Sequence, residues 1–445
     1  AYPELRSQRE LIMKVIKEEE DAFLRTLENG IRMLDDAIAA ARREGKTEIS
    51  GKQAFVLYDT YGFPLDLTLL ILKENGMTLD QAGFDAEMAA QKQRARNAAA
   101  VEATDWVILS DGEQTFCGYD NTEAETRILR YRRVKQKNQE FFQIILAETP
   151  FYAEMGGQVG DRGTLTDLTT GESVEIYDTK RENGVGVHLT KKMPSDPEAV
   201  FRASIDKESR MATSRNHTAT HLLHEALREV LGTHVEQKGS FVTPESLRFD
   251  FSHFQKLTPE EIRKVEHLAN ARIRAAIARD ERRNVPITEA QAMGAMALFG
   301  EKYGDEVRVI RYGDSVELCG GTHVDNTGNI GMVRIVSESS IAAGIRRIEA
   351  VTGEMVERVL DEMQDTMRQI ASMFNNAPDV AQAIRRSIEE NVELRHQAEE
   401  YMRERIASIA REIVDSAKSN HSGVKVAVLR GVRMPDIVKG IAFAV

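Results

Sequence analysis

Two pairs of metal-binding side chains, about a hundred residues apart, place the strongest constraint on how this chain folds. The first pair is His217 and His221, in the segment N-H-T-A-T-H-L-L-H, and the second is Cys319 and His323, in E-L-C-G-G-T-H-V. Imidazole nitrogens together with a thiolate suit Zn(II) better than a hard cation. If all four side chains bind one ion, the fold must bring these two distant segments together.

The first pair lies in a stretch that predicts a helix from about residue 206 to residue 231, because apolar residues recur there at helical spacing. Side chains four apart on a helix share one face, so both imidazoles can reach one ion. The predicted apolar face consists of Ala219, Leu222, Leu223, Ala226, Leu227, Val230 and Leu231. In the second pair, Gly320 and Gly321 suit a sharp turn that could bring the thiolate and the imidazole together.

Either pair alone would be weak evidence, since histidines four apart also occur by chance on helix surfaces. The combination is more specific because the chain has only 2 cysteines and 10 histidines. His224 is a competing ligand, but the two-pair arrangement leaves it without a role. The number of ligands remains open: four protein ligands are usual in a structural zinc site, whereas three leave a position for water or substrate.

Length, charge and cysteine usage limit the class of protein. A length of 445 residues predicts roughly two to four domains. No run of eighteen apolar residues occurs, so no membrane span is expected. Two cysteines argue against a disulfide framework and favour a reducing cytoplasm. The start A-Y-P-E-L-R lacks an initiator Met and the end G-I-A-F-A-V is apolar, so we expect a fragment of a longer protein.

The net charge of -12 argues against a protein that coats nucleic acid through its overall field. A nucleic-acid partner would have to be held by local basic patches. Solvated faces balanced by nearby acids remain the alternative for each patch. The candidates are Arg127, Arg130, Arg132, Arg133, Lys135 and Lys137; Arg272, Arg274, Arg279, Arg282 and Arg283; and Arg346 with Arg347.

The pattern along the chain predicts an α+β protein of several domains. Helical spacing predicts helices in residues 4–44 and on to about residue 98. Short β-like segments between residues 103 and 200 predict a small sheet or barrel. Residues 199–350 alternate helix and strand, which predicts an α+β region with a mainly antiparallel sheet. Residues 353–418 predict long helices with an apolar seam, interrupted near Asn375-Asn376-Ala377-Pro378, that fits a helical hairpin or dimerisation arm.

A glycine-rich loop, T-P-F-Y-A-E-M-G-G-Q-V-G-D-R-G, occupies residues 149–163. Its backbone could approach a ligand closely, and a set of tight turns is the alternative. A phosphate cradle is poorly supported, because no Lys-Ser/Thr follows the glycines.

Seven linked segments resemble bacterial alanyl-tRNA synthetases, and the resemblance covers nearly the whole chain. They are L-Y-D-T-Y-G-F-P-L-D-L-T at 57, T-P-F-Y-A-E-M-G-G-Q-V-G-D at 149, N-H-T-A-T-H-L-L-H at 216, G-T-H-V-E-Q-K-G-S at 232, G-A-M-A-L-F-G-E-K-Y at 294, E-L-C-G-G-T-H at 317 and A-G-I-R-R-I-E-A-V-T-G at 343. The order and spacing of the segments carry the resemblance more than any one of them.

The resemblance implies five parts. They are a helical tRNA-recognition end (1–102), a β-barrel (103–200), an α+β zinc-binding editing domain (201–352), a helical dimerisation arm (353–420) and the start of a truncated C-terminal domain (421–445). It also implies that the aminoacylation core, with its ATP and Mg²⁺, belongs to the full-length enzyme and is absent from this chain. The implied partners are tRNA(Ala) and, through the C-terminal helices, a second copy of the chain in a homodimer. The implied location is the cytoplasm.

The resemblance further implies that this chain is part of an alanine–tRNA ligase, which attaches alanine to tRNA(Ala) with ATP, and that it carries the editing activity. Editing hydrolyses tRNA(Ala) mischarged with Ser or Gly. When two amino acids differ by one methyl group, a binding pocket can discriminate between them by at most roughly 10- to 200-fold. A second, hydrolytic site is therefore needed to remove the wrong product. No Ser-His-Asp arrangement is visible in the sequence, which favours water attack positioned by a metal or by the substrate over an acyl-enzyme.

The candidate site residues follow from the motifs and the resemblance. The predicted zinc ligands are His217, His221, Cys319 and His323; the catalytic candidates are Gln237 and Thr218; and the tRNA contacts are Lys238, Arg346 and Arg347. An ordinary strand glutamine remains the alternative for Gln237. Thr220 is an alternative to Thr218 for contacting a seryl hydroxyl, and helix packing is an alternative for both.

The sequence has four alternatives to an editing domain of the alanyl-tRNA synthetase type. Threonyl-tRNA synthetase editing domains and freestanding editing proteins share the paired metal motif, but the upstream D-T-Y-G-F-P segment and the downstream helices argue against them. A zinc-stabilised tRNA-binding and dimerisation module without independent catalysis is the non-enzymatic alternative. A zinc peptidase is disfavoured, because Thr218 stands where that motif requires a Glu.

Overall fold

The computed structural model divides the chain into two compact units, Ala1–Glu357 and Arg358–Val445. The described residues are 9–98, 101–136, 139–296, 304–342, 344–419, 425–426 and 439–441. No helix among these residues is both long and apolar enough to cross a membrane. Lys137, residues 297–303 of the motif at 294, Ala343 and most of the predicted segment 421–445 lie outside the described residues.

The first unit begins with helices, as predicted. The elements are α1 (Arg9–Arg43), β1 (Glu48–Ile49), α2 (Gly51–Asp59), α3 (Leu65–Glu74), β2 (Thr78–Leu79) and α4 (Gln81–Ala98). A capping box starts α2, in which the Gln53 N–H donates to the Ser50 hydroxyl oxygen and the Ser50 N–H donates to the Gln53 side chain. Leu34, Phe63 and Leu72 belong to the buried core that these elements share.

Short strands follow, as predicted for residues 103–200. They are β3 (Val101–Ala103), β4 (Val107–Ile108), β5 (Thr115–Phe116), β6 (Glu123–Thr126), β7 (Ile128–Gln136), β8 (Gln139–Leu146), β9 (Glu148–Thr149), β10 (Gly163–Asp167), β11 (Ser173–Ile176), β12 (Asp178–Glu182), β13 (Val185–Thr190) and β14 (Phe201–Ile205). One antiparallel sheet has the order β11-β10-β14-β6, and the other has the order β12-β13-β8-β7-β3, with β4 also paired to β7.

The predicted closed β-barrel is wrong. In the described part of this region the two sheets remain separate ladders, and neither closes on itself. They instead share one core, to which the fully buried side chains of Ile144, Leu165 and Phe201 contribute. Short strands with alternating apolar residues bury their apolar face equally well in a closed barrel or between two sheets, so the sequence pattern did not distinguish the two. We call this two-sheet region the sandwich.

His188 on β13 is a fully buried histidine of the sandwich. Its Nδ1–H donates to the carbonyl oxygen of Ile144 at 3.0 Å, and its Nε2 lies 2.7 Å from the Thr149 hydroxyl, which can donate to it. Burial lowers the pKa of His188 to about 4. The neutral imidazole is therefore the form that the native sandwich holds.

We expect His188 to make the free energy of unfolding depend on pH. The imidazole has an ordinary pKa of 6.5, so the stabilisation is fully present above that pH and is lost as the pH falls towards about 4. A shift of this size corresponds to roughly 3 kcal/mol. Urea unfolding at several pH values in this window should show a smaller loss of stability for His188→Gln than for the parent. His267→Gln, at an exposed position, should behave like the parent, and parallel pH profiles for all three proteins would contradict the prediction.

The remainder of the first unit combines helices with two further antiparallel sheets. Its elements are α5 (Lys207–Leu231), β15 (Gln237–Val242), β16 (Leu247–Ser252), α6 (Pro259–Arg274), β17 (Asp280–Pro286), α7 (Ile287–Ala292), β18 (Glu306–Tyr312), β19 (Ser315–Leu318), a 3₁₀ turn (Thr327–Ile330), β20 (Val333–Ala342) and β21 (Ile345–Thr352). The strand orders are β15-β16-β21-β20 and β17-β18-β19. We call this part the metal-bearing region, because it contains the four predicted metal ligands.

Helix α5 occupies the predicted range almost residue for residue. Asp206 caps it by accepting a hydrogen bond from the Ser209 N–H at 3.0 Å. The predicted apolar face is the buried one, since Ala219, Leu223 and Leu227 are fully enclosed in the main core of the region. This packing fixes the rotation of the helix and hence the direction in which its histidines point.

Arg210, in the first turns of α5, ties this helix to the sandwich. Its Nε donates to both carboxylate oxygens of Asp161 at 2.9 Å, and its two other nitrogens donate to the carbonyl oxygens of Gly118 and Pro150. Both members of the ion pair are almost completely buried. Because an unpaired buried charge is costly, this pair holds the glycine-rich loop against the start of α5.

The second unit is helical, as predicted. Helix α8 (Glu354–Met373) runs into it, and α9 (Val380–Ser416) is followed by the short strands β22 (Lys418–Ser419) and β23 (Lys425–Val426). The predicted interruption lies between α8 and α9, where Asn375 and Asn376 have φ of 54° and 53°. Asparagine tolerates this left-handed conformation better than most residues.

Candidate metal centre

The four side chains predicted as ligands lie together, and we call them the metal cluster. Helix α5 supplies His217 and His221, while Cys319 and His323 lie in the loop after β19. One potential ligand atom from each lies within 4.8 Å of the others. The Nε2 atoms of His217 and His323 are 3.4 Å and 3.3 Å from Cys319 Sγ. Bonds of about 2.0–2.3 Å put the ligand atoms of a tetrahedral zinc ion roughly 3.3–3.8 Å apart, so these contacts have the right spacing.

His217 is oriented by Gln158, which comes from the glycine-rich loop of the sandwich. The His217 Nδ1–H donates to Gln158 Oε1 at 2.7 Å, which leaves Nε2 as the nitrogen facing Cys319. The same oxygen accepts from the Thr322 N–H at 2.9 Å, and Gln158 Nε2 donates to the Thr322 hydroxyl. Gln158 is fully buried. One amide thus connects both halves of the metal cluster, in the way that groups behind metal ligands commonly fix ring orientation.

His323 is held in a similar way by Thr218. Nδ1 of His323 lies 3.1 Å from Thr218 Oγ1, an oxygen that also accepts from the Val324 N–H. Its Nε2 therefore faces Cys319. Thr218 is fully buried behind the cluster. The contact holds the ring with its Nε2 facing Cys319 Sγ.

His221 lies beside a buried carboxylate, that of Glu317. Nε2 of His221 is 3.4 Å from Glu317 Oε2, and Nδ1 of the same ring is buried without a hydrogen-bond partner in the described part of the chain. One nitrogen of this ring is therefore left for an ion. His224 lies outside the cluster, and its Nδ1 faces the other oxygen of Glu317 at 3.1 Å.

The turn that carries Cys319 is held from both sides. Arg308 donates to the carbonyl oxygens of Cys319 and Gly321 at 2.9 Å and 2.7 Å, and the Tyr119 hydroxyl of the sandwich donates to that of Gly320. Neither glycine has a positive φ. Gly321 is instead required by close approach, since a Cβ there would lie 2.0 Å from Cε1 of His217.

Burial keeps the imidazoles of the cluster neutral. Desolvation, with the neighbouring His221, lowers the pKa of His217 to about 3. Desolvation also lowers the pKa of His221, and it holds the pKa of His323 well below the ordinary value. Histidine ligates metals in its neutral form. The donor set, the oriented rings and the unpartnered nitrogen of His221 together fit a zinc ion.

A cavity of about 60 Å³ lies against this cluster. Its lining comes from the sandwich, α5, β15 and the Cys319 turn, and it includes Tyr152, Met155, His217, Thr220, His221, Gln237, Ser240, Glu317 and Cys319. The Gln237 amide donates to the Ser240 hydroxyl at 3.1 Å, which holds its side chain at the cavity wall. Of the two catalytic candidates, the structure therefore places Gln237 at the cavity and Thr218 behind it, with Thr220 on the lining.

The three predicted tRNA contacts do not line this cavity. Lys238 lies 3.0 Å from the Glu236 carboxylate. Arg346 is almost completely buried and pairs with Glu338, and Arg347 donates to both oxygens of Asp250 at 2.6 Å and 2.8 Å. Their role in tRNA binding stays a prediction.

Several residues around the cluster were not predicted from the sequence. Gln158 stands inside the glycine-rich loop that was singled out, but the loop was noted for its glycines. Glu317 is the first residue of the segment E-L-C-G-G-T-H, but that segment was noted for its cysteine and histidine. Tyr119 and Arg308 carried no signal at all. The Tyr119 contact depends on the packing of the sandwich against the metal-bearing region, and the Arg308 contacts depend on the pairing of β18 with β19.

Two sequence families match parts of the chain. Residues 1–208 match a family described as tRNA synthetases class II (A). Residues 307–349, which include Cys319 and His323, match the Threonyl and Alanyl tRNA synthetase second additional domain.

Curated relatives match over nearly the full length of the chain. An alanine–tRNA ligase of Bacteroides fragilis (strain YCH46) is 61% identical over 443 residues, which cover 100% of this chain and 50% of that protein. That of Porphyromonas gingivalis is 59% identical over 445 residues, covering 100% of this chain and 51% of the relative. That of Flavobacterium psychrophilum is 48% identical over 422 residues, 93% of this chain and 47% of the relative. The chain spans about half the length of the curated relatives it matches.

Proposed function

The chain belongs to the alanyl-tRNA synthetase family, and we propose that its metal-bearing region edits mischarged tRNA. The reaction is hydrolysis of the ester that joins Ser or Gly to the 3′-terminal ribose of tRNA(Ala). The four clustered side chains, His217, His221, Cys319 and His323, would hold one zinc ion. Attachment of alanine with ATP and Mg²⁺ would belong to the longer enzyme of the family.

The observation that carries this proposal is the small cavity against the cluster. A space of about 60 Å³ holds a few water molecules, which suits one water and a small aminoacyl group better than a large side chain. The cavity is bordered by the metal cluster, by the neutral polar side chains of Thr220, Gln237 and Ser240, and by the Glu317 carboxylate. Groups of this kind can position a water for ester hydrolysis. The family match at residues 307–349 covers half of the cluster.

A zinc ion held by three of these side chains would have a free position at which it could polarise a carbonyl oxygen or acidify a water. An ion held by all four would instead shape the cavity, and neighbouring groups would position the water. Gln237, held by Ser240, would donate a hydrogen bond to the ester or orient the attacking water. The Thr220 hydroxyl donates to the Asn216 carbonyl oxygen at 2.9 Å, so its oxygen remains able to accept a hydrogen bond from a seryl hydroxyl. Thr218 would act as a positioning residue for His323 rather than as a substrate contact.

We expect the chain to release serine from Ser-tRNA(Ala), and chelation of zinc to abolish the release. The measurement is the rate of loss of acid-precipitable labelled serine, with Ala-tRNA(Ala) as the control substrate that should survive much longer. Restoration of the rate by added zinc separates metal removal from denaturation. Stable Ser-tRNA(Ala) in the presence of zinc-loaded protein would contradict the proposal.

The alternative is a zinc-stabilised module that binds tRNA and dimerises without independent catalysis. Coordination of the zinc ion by all four protein ligands would favour this alternative, because no position would remain for water or substrate. It also gains from the second unit, in which the apolar side chains of Ile388, Val392 and Leu394 are 59%, 64% and 63% exposed. We propose α9 as a dimerisation element on this ground, and sedimentation of the chain with an Ile388→Glu variant would test it. Zinc and tRNA binding without hydrolysis would select this alternative.

The remaining parts of the proposal concern organisation. We propose tRNA(Ala) as the nucleic-acid partner and the cytoplasm as the location. We also propose that residues 1–102, 103–200, 201–352, 353–420 and 421–445 correspond to the tRNA-recognition end, the sandwich, the editing domain, the dimerisation arm and the start of a C-terminal domain.

A further inference from the structure

A larger cavity adjoins the metal cavity on the side of the sandwich. It has a volume of about 210 Å³, and Tyr152 and Met155 border both cavities. Aromatic side chains supply much of its wall: Phe116, Tyr119, Phe151 and Tyr152. Phe116 is 37% exposed and packs edge-on against Tyr119 at 5.0 Å between ring centroids. It thus offers an accessible ring beside the cavity.

A third cavity, of about 170 Å³, lies on the other side of the turn between β12 and β13, and Val185 borders both it and the aromatic cavity. Its lining includes Trp106, Arg130 and Arg132. The guanidinium carbon of Arg132 lies 4.4 Å from the Trp106 ring centroid, and that of Arg130 lies 5.7 Å from it.

The two arginines differ in their pairing. Arg132 donates to Gln143 and to the Glu182 carboxylate, so its charge is largely neutralised. The guanidinium of Arg130 has no carboxylate partner among the described residues, and its Nε is buried without a hydrogen-bond partner there. Arg181 lines the aromatic cavity and adds a positive charge there. These charges stand out in a chain with a net charge of -12.

We propose that the three cavities form one track for the single-stranded 3′ end of the aminoacylated RNA. The ester lies in the metal cavity, the terminal base stacks in the aromatic cavity beside Phe116, and the preceding nucleotide stacks at Trp106 with its phosphate on Arg130. Proteins bind single strands by this combination of aromatic rings and a basic groove. The proposal rests on the proposed function for its polarity, since the ester must reach the metal cluster.

Trp106 makes this proposal directly measurable, because it is the only tryptophan of the chain. Titration with an RNA hexanucleotide that ends in CCA and carries no amino acid should quench the Trp106 fluorescence. Phe116→Leu, which keeps an apolar side chain but removes the ring, should weaken binding roughly 5- to 100-fold, the usual range for one stacked base. Arg130→Ala should weaken binding and reduce the slope of log K against log salt by about 0.7, as expected for one lost phosphate contact to a single strand.

Arg202→Ala is the matched control. Arg202 is an exposed arginine of β14, in the other sheet of the sandwich, and its loss removes the same charge from the chain. It should leave both affinity and salt slope unchanged. The thermal unfolding midpoint of each variant shows whether it is folded. If Arg130→Ala does not fold, Arg130→Gln provides a second variant that lacks the charge.

Because the hexanucleotide carries no amino acid, its binding tests this proposal independently of the proposed hydrolysis. Quenching by the hexanucleotide, lost in Phe116→Leu and Arg130→Ala but kept in Arg202→Ala, supports the track even if no Ser-tRNA(Ala) is hydrolysed. Absence of quenching, or equal effects of Arg130→Ala and Arg202→Ala, overturns the track even if hydrolysis is fast.

Discussion

Replacement of Cys319 by alanine is expected to remove the bound zinc and, with it, the hydrolysis of Ser-tRNA(Ala). Cys319 is the only thiol of the cluster, and its Sγ lies within 3.4 Å of nitrogens of both His217 and His323. Changes to groups that merely support metal ligands typically cost 10- to 100-fold in metal affinity or activity. Loss of a ligand should therefore exceed about 100-fold in zinc affinity. The measurements are zinc content after gel filtration and the deacylation rate.

The other cysteine provides the control. Cys117 lies outside the cluster, and burial with a contribution from Glu148 raises the pKa of its thiol to about 11, so it is not a thiolate at neutral pH. Cys117→Ala should keep both zinc and hydrolysis. Full zinc content in Cys319→Ala would show that the ion, if bound, is held elsewhere, and hydrolysis at the parental rate would exclude a catalytic role for the cluster.

Replacement of Gln158 by leucine is expected to reduce zinc affinity or the deacylation rate by about 10- to 100-fold, although Gln158 would not touch the ion. Leucine has a similar size but cannot accept the hydrogen bonds from His217 Nδ1 and the Thr322 N–H. These buried donors would then lack partners, at a cost of about 1–3 kcal/mol each. Zinc affinity can be measured by competition with a chromophoric chelator.

Gln158→Glu distinguishes a positioning role from a general loss of structure. A carboxylate can accept the hydrogen bonds that the Gln158 amide oxygen accepts, so this variant should retain most of the zinc affinity that the leucine variant loses. Gln291→Leu, at an exposed position, controls for the added apolar side chain. Equal zinc affinity in the parent and in Gln158→Leu would mean that the orientation of His217 does not depend on this contact.

Helical periodicity predicted α5 well, because a buried apolar stripe and a capping aspartate are both local signals. The sequence also predicted that the four side chains of the metal cluster lie together, since their spacing within each pair is itself local. The β-like segments expected between residues 103 and 200 did not include β6 or β12. The sequences of these two strands, E-A-E-T and D-T-K-R-E, are polar, and they form strands because neighbouring strands pair with them.

The groups that orient the cluster could not be predicted for a different reason. Gln158 and Tyr119 act across 59 and 201 residues of sequence, and their contacts exist only once the sandwich packs against the metal-bearing region. A buried glutamine has no distinctive pattern around it. Whether two sheets close into a barrel likewise depends on the pairing of edge strands, which the alternation of apolar residues does not specify.

The buried pair of Arg210 and Asp161 bears on where this protein can be divided in the laboratory. Cut at residue 201, the metal-bearing region would keep the guanidinium of Arg210 but lose its carboxylate partner, and it would keep His217 without the amide that orients it. A shortened protein for biotechnology, or a graft of the metal-bearing region onto another protein, should therefore carry residues 103–200 in the same cassette.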